Sequence, residues 1–275
     1  MNTSEIMELA LDLAGMDAVP ADSGIFRPRD EVRRILLGID IEKDDIALAK
    51  KEGFDLVLAH HPLNWATFLD VMDRHEKLMM GAGVPRDRAR QASSENQAYW
   101  QGLVDRHHAE QVARHMSALA REIDLGLMNI HLPCDEVGRR MLQEYADELP
   151  PSAAVSDLID RYASFPEIEA AREGIHLVCG SGEAEIGRAV VIHGAGVNGG
   201  YPVANALFDS GVGTAVYIHL FSEEQRARLL DENQGNLIVT GHYGSDSLGI
   251  NPLVDELERR GLEIHCCNKM VRMRR

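Results

Sequence analysis

The chain has 275 residues, which is enough for one large domain or two small ones. Its 28 Lys and Arg residues against 44 Asp and Glu residues give a formal net charge of −16, which argues against a nucleic-acid binder that grips phosphates. Four cysteines without a CxxC pair argue against a disulfide framework or a thiolate zinc site. No apolar run approaches the ~18 residues of a transmembrane helix, and the acidic start differs from a signal peptide. We therefore expect a cytoplasmic protein that does not interact with membranes.

The elements predicted in chain order alternate between helix and strand. Apolar spacing predicts a helix over 4–15, and the segment VPADSGIF is predicted as a loop. The predicted strands are the run RRILLGID and residues 54–59, 124–130, 174–180, 188–194, 213–220 and 235–241. The predicted helices that separate most of them are 44–52, 135–148, 199–210, 222–233 and 246–260. This alternation predicts an α/β (α+β) layered fold with largely parallel sheets.

Two stretches interrupt the alternation. The Pro/Ser-rich segment 149–156 predicts a boundary between a first lobe, residues 1–150, and a second lobe, residues 151–275. Residues 73–123 have helical composition and no strand pattern, with a break near 81–87, so they are predicted to be a helical insertion in the first lobe. No internal repeat is evident from the sequence.

Histidines follow the predicted strands more often than twelve scattered histidines would. The histidines at strand ends are His60, His61, His131, His193, His219 and His242. In open α/β sheets ligands bind beyond the carboxyl ends of strands, so these positions predict a ligand site. The alternative for any single histidine is a hydrogen bond to a loop, and for His193 and His219 a structural role is the favoured interpretation.

Two of these histidines have a carboxylate four residues later, namely His131 with Asp135 and His242 with Asp246. At this spacing in a helix both side chains share one face, and an imidazole with a carboxylate suits Zn, Mn or Fe(II). Together with the adjacent pair after the strand 54–59, they predict a dinuclear centre. The alternative is that Asp135 caps a helix and that Asp246 complements a helix dipole.

Other candidates are weaker. The segment HGAGVNGG (193–200) follows a strand, and either cradles an anion at a helix start or simply makes a tight turn. His107, His108 and His115 lie on or next to a helical stripe with Trp100, and either line a site or belong to a packed face.

The motifs DLVLAHHPL (55–63), HLPCD (131–135) and GHYGSD (241–246) together resemble those of the Nif-three-like family of dinuclear-metal proteins. The resemblance implies two related α/β lobes, a metal site in the cleft between them, and a toroidal hexamer. It implies five metal ligands, which are His60, His61, Asp135, His242 and Asp246. It also implies that His131 lies near the metals. This chain departs from the family in having Asp246 where a Glu is usual, and HLPCD in place of HTNLD.

The predicted ligand set suits two divalent ions, Zn, Fe or Mn, and the hydrolysis that such ions promote. The first hypothesis is a metal-dependent hydrolase of a small nucleotide-like substrate, of cyclohydrolase or phosphoesterase type. The alternative is a non-catalytic metal-binding oligomer for metal storage, delivery, sensing or partner scaffolding. A hydrolase needs a lined pocket and open metal positions, which the sequence alone does not reveal. The helical insertion is expected over or beside the metal cleft or at a subunit contact.

Overall fold

The computed structural model describes residues 1–104, 109–194, 198–232 and 234–274. These ranges contain a five-stranded and a four-stranded sheet with helices around them. The strands are β1 (Gly24–Arg27), β2 (Arg34–Gly38), β3 (Leu56–Ala59), β4 (Gly126–Asn129), β5 (His176–Cys179), β6 (Ala189–Val191), β7 (Thr214–Tyr217), β8 (Asn236–Val239) and β9 (Glu263–Cys267). The helices are α1 (Thr3–Ala14), α2 (Lys43–Lys51), α3 (Asp73–Gly81), α4 (Arg86–Val104), α5 (Ala109–Glu122), α6 (Leu132–Asp147), α7 (Val155–Ala163), α8 (Pro166–Ala171), α9 (Gly200–Asp209), α10 (Glu223–Glu232) and α11 (His242–Arg259), with a 3₁₀-helix at Trp65–Val71. None of the helices in these ranges has the length and apolar character needed to cross a bilayer.

The first sheet has the strand order β1-β4-β3-β2-β9. Strands β2, β3, β4 and β9 are mutually parallel, whereas β1 pairs antiparallel with β4 at one edge. β1 lies largely within the segment VPADSGIF that was predicted as a loop, so that prediction was wrong for Gly24 to Phe26. All four residues of β1 are half-buried, so no alternating pattern of burial marks the strand. Its pairing with β4 defines it instead.

The second sheet repeats this arrangement with the order β5-β8-β7-β6. β6, β7 and β8 are parallel, and β5 pairs antiparallel with β8, as β1 does with β4. The predicted α/β class and the two related lobes are therefore confirmed. The strand order and the strand directions thus recur between the two sheets, although no internal repeat was evident from the sequence.

The predicted lobe boundary at residue 150 stays a prediction, but the two sheets do not divide the chain at one point. β9 returns from the second half of the chain to pair with β2, Arg34 opposite Glu263 and Gly38 opposite Cys267. Consequently residues 151–275 include the second sheet and also one strand of the first. β9 has no counterpart in the second sheet.

Helices α6 and α11 lie between the two sheets and contribute to both cores. Ile250 and Leu257 of α11 are buried in the cluster formed with the first sheet. Leu142 and Ala146 of α6 are buried in the cluster formed with the second sheet. Each helix starts just after a strand, β4 or β8, so the two helix N-termini lie at the carboxyl ends of both sheets.

Two glycines allow α6 and α11 to approach closely. A Cβ added to Gly249 would lie 2.2 Å from the carbonyl oxygen of Cys134, and one added to Gly138 would lie 3.2 Å from that of Ser245. Any side chain at Gly249 would therefore push the helices apart. Asp135 and Asp246 each precede one of these glycines by three residues, so the crossing controls the separation of the two carboxylates.

The helical insertion spans both lobes. Met79 and Ala89, in α3 and α4, are buried against α9 of the second lobe, whereas Met116 and Ala120 of α5 are buried against the first sheet. The break between α3 and α4 lies at the predicted position. The Arg74 guanidinium of α3 also pairs with Glu136, next to Asp135 in α6. The insertion is thus fastened beside the cleft that the sheets and central helices form.

Candidate metal centre

The fold places all the predicted strand-end histidines at the same side of the two sheets. His60 and His61 follow β3 directly, His131 precedes α6, and His242 is the first residue of α11. His60 lies 3% exposed and His131 5% exposed. We define the His/Asp cluster by the residues whose ring nitrogens and carboxylates meet here: His60, His61, His131, Asp135, His193, His242 and Asp246.

The His60 ring bridges the two carboxylates of the cluster. Its Nδ1 lies 3.1 Å from the carbonyl oxygen of Ile130, which only accepts, so in the neutral ring Nδ1 carries the proton. Its Nε2 is then an acceptor, 3.2 Å from Asp135 Oδ1 and 3.8 Å from Asp246 Oδ2. A ring fixed in this way presents the nitrogen lone pair that a metal ion requires.

Two further carboxylates orient His61 and His131. Asp40 Oδ1 lies 2.7 Å from His61 Nδ1, and Asp22 Oδ2 lies 2.7 Å from His131 Nδ1. Such carboxylate–imidazole pairs hold the tautomer with a free Nε2 and raise the basicity of the ring. Sequence analysis did not single out Asp22 or Asp40. Asp22 lies in the segment VPADSGIF that was predicted as a loop, two residues before β1, and Asp40 lies two residues after β2.

Asp246 lies at the middle of the cluster. Its Oδ2 is 3.3 Å from His242 Nε2, 3.4 Å from His61 Nε2 and 3.8 Å from His60 Nε2. Two groups of donor atoms share this residue, each with all atoms within 4.8 Å of one another: His61, His242 and Asp246; and His60, Asp135 and Asp246. The shorter side chain of Asp, where the family usually has Glu, therefore still reaches both groups.

Several polar atoms of the cluster are buried without a hydrogen-bond partner. Among the described residues these atoms include His60 Nε2, Asp135 Oδ1, His193 Nε2 and Asp246 Oδ2. Buried polar groups in folded proteins are almost always satisfied, so four such atoms facing one another need an explanation. All four are metal-ligating types with a free lone pair, and the donor set fits a bound cation.

The protonation of the cluster also favours a cation. Burial lowers the pKa of His60, but Asp135 and Asp246 outweigh it and hold that pKa well above its usual range. Burial raises the pKa of Asp135, but the neighbouring imidazoles, including that of His60, outweigh it and hold that pKa below its usual range. The pKa of Asp246 is likewise held well below its usual range, with His242 and His60 outweighing burial. Two buried carboxylates, of Asp135 and Asp246, thus favour a positive charge on the His60 ring between them, and a bound metal ion would supply that charge instead.

Sequence analysis favoured a structural role for His193 and His219, but His193 belongs to the cluster and His219 lies next to it. His193 is 2% exposed, and its Nε2 lies 3.9 Å from Asp135 Oδ1. Burial lowers the pKa of His193 and of His219, so both rings are neutral near pH 7. The ring centroid of His219 lies 4.6 Å from that of His242. His193 thus adds a free nitrogen to the cluster, and His219 supports the His242 ring.

An open cavity of about 750 Å³ leads to the cluster. The side chains of His61 and His242 are 23% and 19% exposed, so the cluster is open to the cavity on their side. The cavity is lined by Phe68 of the 3₁₀-helix, by Trp100 of the insertion and by Phe221. The insertion therefore does lie beside the cleft, as expected, and supplies part of its apolar wall.

The weaker candidates contribute less. His107 and His108 lie outside the described residues, as do residues 195–197 of the segment HGAGVNGG, for which an anion cradle and a tight turn were the alternatives. His115 is exposed and is not among the residues that line the cavity. Asn198 accepts a hydrogen bond from the Ile218 amide at 2.7 Å, which is a structural role.

The two central helices carry the same short pattern at the same place. The octets HLPCDEVG (131–138) and HYGSDSLG (242–249) both have His, then Asp after four residues, then Gly after three more. The His supplies Nε2, the Asp its carboxylate, and the Gly the close helix contact. Sequence analysis found the two His–Asp pairs but not the glycines, and the complete octet was the pattern that would have revealed the repeat.

The fold and the cluster together define a two-lobed α/β protein with a His/Asp group able to hold metal between its lobes. Residues 7–82 match the model of the family described as Duf34/NIF3 (NGG1p interacting factor 3). Over 98% of this chain and 99% of the other, the protein is 39% identical to a NIF3 superfamily protein from Sphaerobacter thermophilus, with a TM-score of 0.86. The chain therefore belongs to the NIF3 superfamily, and the predicted family resemblance is confirmed.

More distant structures share the fold alone. Reduced HcgD from Methanocaldococcus jannaschii is 14% identical with a TM-score of 0.59, over 97% of each chain. A Bacillus cereus protein related to NIF3 is 11% identical with a TM-score of 0.52, over 97% of this chain and 96% of that one. No curated protein matches the chain.

Proposed function

We propose that this protein is a dinuclear metal-dependent hydrolase of a small nucleotide-like substrate. The observation that carries the proposal is the convergence of four unpartnered buried ligand atoms, three of them on residues that line an open cavity. A storage site has no need of a lined cavity, whereas a hydrolase must admit a substrate beside its metals.

In this proposal His60, Asp135 and Asp246 hold one divalent ion, and His61, His242 and Asp246 hold the other. Zn, Mn and Fe(II) all suit imidazole with carboxylate. Bound there, two such ions supply Lewis acidity and lower the pKa of a coordinated water towards neutrality. His131 stays beside the ions, held by Asp22.

The remaining residues of the site orient the histidine rings and form part of the cavity wall. Asp40 and Asp22 keep the rings of His61 and His131 in the tautomer with a free Nε2. The exposed side chain of Phe221 stacks on His219, with ring centroids 4.1 Å apart and planes 21° apart. An exposed aromatic ring at the cavity wall offers a face on which a flat heterocycle can stack, which supports a nucleotide-like substrate.

Metal analysis combined with a substrate screen tests the proposal. Wild-type protein purified without oxygen, or reloaded with Zn, Mn or Fe(II), is expected to hold two divalent ions per chain and to hydrolyse at least one nucleotide or phosphoester. The control His115→Ala alters an exposed histidine away from the cavity and is expected to match wild type in both measurements.

The two functions give different results in this experiment. Two bound ions with no turnover of any nucleotide, phosphoester or cyclic amide would favour the alternative, a non-catalytic metal-binding oligomer. No bound ion after reloading would contradict both.

We also propose, from the family resemblance, that the protein assembles as a homo-hexamer. Multi-angle light scattering at micromolar concentration is then expected to give a mass near six times the 30.4 kDa of the chain. A monomer mass under these conditions would contradict the assembly without bearing on the metal centre.

A further inference from the structure

We propose that Lys269 binds the anionic group of the substrate at the mouth of the cavity and so selects phosphate- or carboxylate-bearing substrates over neutral ones. This inference rests on the proposed function, because it assigns the substrate class of the same site. Among the described residues that line the cavity, Lys269 is the one with a Lys or Arg side chain.

The backbone presents Lys269 in an unusual way. Asn268 and Lys269 have φ angles of 45° and 67°, so two consecutive non-glycine residues adopt the left-handed conformation. This conformation is unfavourable for residues with a Cβ, and it persists only where surrounding contacts impose it. The side chain of Asn268 makes such contacts, because its Nδ2 donates to the Asp40 carbonyl at 2.9 Å and to Asp45 Oδ2 at 2.8 Å.

The strand that delivers this turn is the one without a counterpart in the second sheet. β9 ends at Cys267, opposite Gly38 of β2, and the turn follows at once. Asp40 stands two residues after Gly38 in the chain, so β9 brings Lys269 to the same edge of the sheet as the cluster. The extra strand β9 and the left-handed turn after it thus place Lys269 at the cavity.

The contacts of Lys269 connect it to both halves of the proposed centre. Its Nζ hydrogen-bonds to the hydroxyl of Tyr243, the residue after His242, and lies 4.2 Å from the centroid of that ring. It also lies 3.8 Å from Oδ2 of Asp40, the carboxylate that holds His61. These contacts fix the ammonium beside the open side of the cluster.

The ammonium nevertheless keeps capacity for a ligand. The Lys269 side chain is 55% exposed, and an ammonium has three donors, of which Tyr243 takes one. Besides the two carboxylates of the cluster, four acidic residues among those described also line the cavity: Asp40, Glu42, Asp44 and Asp45. Oδ1 of Asp40 holds His61, and Oδ2 of Asp45 accepts from the Glu42 amide and from Asn268, so these two oxygens are already engaged. A phosphate or carboxylate entering the cavity would therefore meet a free N–H of Lys269 at its mouth.

The test compares binding of AMP and adenosine to metal-loaded protein by equilibrium dialysis. Lys269→Met is expected to weaken AMP binding about tenfold, which is the usual range for a lost charge-assisted hydrogen bond, and to leave adenosine binding unchanged. Lys269→Arg keeps the charge and is expected to restore most of the affinity for AMP. Lys51→Met is the matched control, because Lys51 is 79% exposed and does not line the cavity.

Metal content is measured on every variant. A loss of AMP binding that is caused by loss of metal ions is thereby distinguished from a loss that is caused by the change at Lys269. Equal losses for AMP and adenosine in Lys269→Met, an AMP affinity equal to that of wild type, or no preference of wild type for AMP would each overturn the inference.

The outcomes also separate this inference from the proposed function. Lys269-dependent AMP binding without turnover of any substrate would remove the hydrolase function and keep the anion site. Conversely, turnover that is equal in wild type and Lys269→Met for anionic and neutral substrates would keep the hydrolase and remove the anion site.

Discussion

Asp246→Asn is expected to lose at least one divalent ion per chain and to bind the remaining metal on the order of 100-fold more weakly. The Asp246 carboxylate lies within 3.8 Å of three imidazole nitrogens and belongs to both donor groups, so its loss affects both proposed ions. Changes to residues that merely support metal ligands cost ~10–100-fold in affinity, and a shared ligand should cost at least as much. Elemental analysis and competition with a chromogenic chelator measure the effect.

The same variant should change how metal affects stability. A metal that binds the folded chain alone raises the free energy of unfolding, by about 4 kcal/mol at 1,000 times its dissociation constant. We therefore expect chelator to lower the melting temperature of wild type and to leave that of Asp246→Asn almost unchanged. Asp17→Asn changes an exposed aspartate and should behave as wild type. Full metal content at wild-type affinity in Asp246→Asn would contradict its assignment as a ligand.

Gly249→Ala is expected to destabilise the fold and to weaken metal binding together. The new Cβ would lie 2.2 Å from the Cys134 carbonyl oxygen, so α6 and α11 must separate. Overpacking of this kind costs about 1–3 kcal/mol, although Ala is intrinsically the better helix former. Because Asp135 and Asp246 stand one turn from the crossing, their carboxylates separate as well, and ligand positions tolerate only about 0.2 Å. We expect at least a tenfold loss of metal affinity.

Gly81→Ala is the matched control for this prediction. Gly81 ends α3, and a Cβ added there meets no heavy atom within 4 Å. Its free energy of unfolding should stay equal or rise by about 0.4–1 kcal/mol, with metal affinity unchanged. Chemical denaturation and metal titration of both variants supply the comparison. A Gly249→Ala protein as stable as wild type, with the same affinity, would show that the crossing does not set the carboxylate geometry.

The elements that the sequence predicted well are those marked by their own residues. β3 and β4 are short buried apolar runs, and each ends near a histidine. It missed the helices α7 and α8, and it missed two strands that are defined by partners distant in the chain. β1 is a strand because it pairs with β4, and β9 because it pairs with β2 across more than 200 residues. The predicted ligand positions, as metal ligands, and the lobe boundary at residue 150 stay predictions.

The sequence by itself determined the α/β class, the family, and the six candidate residues, because each was recorded in a local pattern: an apolar run, a histidine doublet or a His–Asp spacing. Only the tertiary structure decided the rest. Asp22 orients His131, and Asp40 orients His61. His193 belongs to the cluster, and Lys269 lines the cavity. These residues are separated along the chain from the atoms they serve. Their positions follow from the way the two sheets and the two glycine-packed helices meet at one edge. Contacts between segments that are distant in the chain produce no regular spacing in the sequence, so sequence patterns do not predict them.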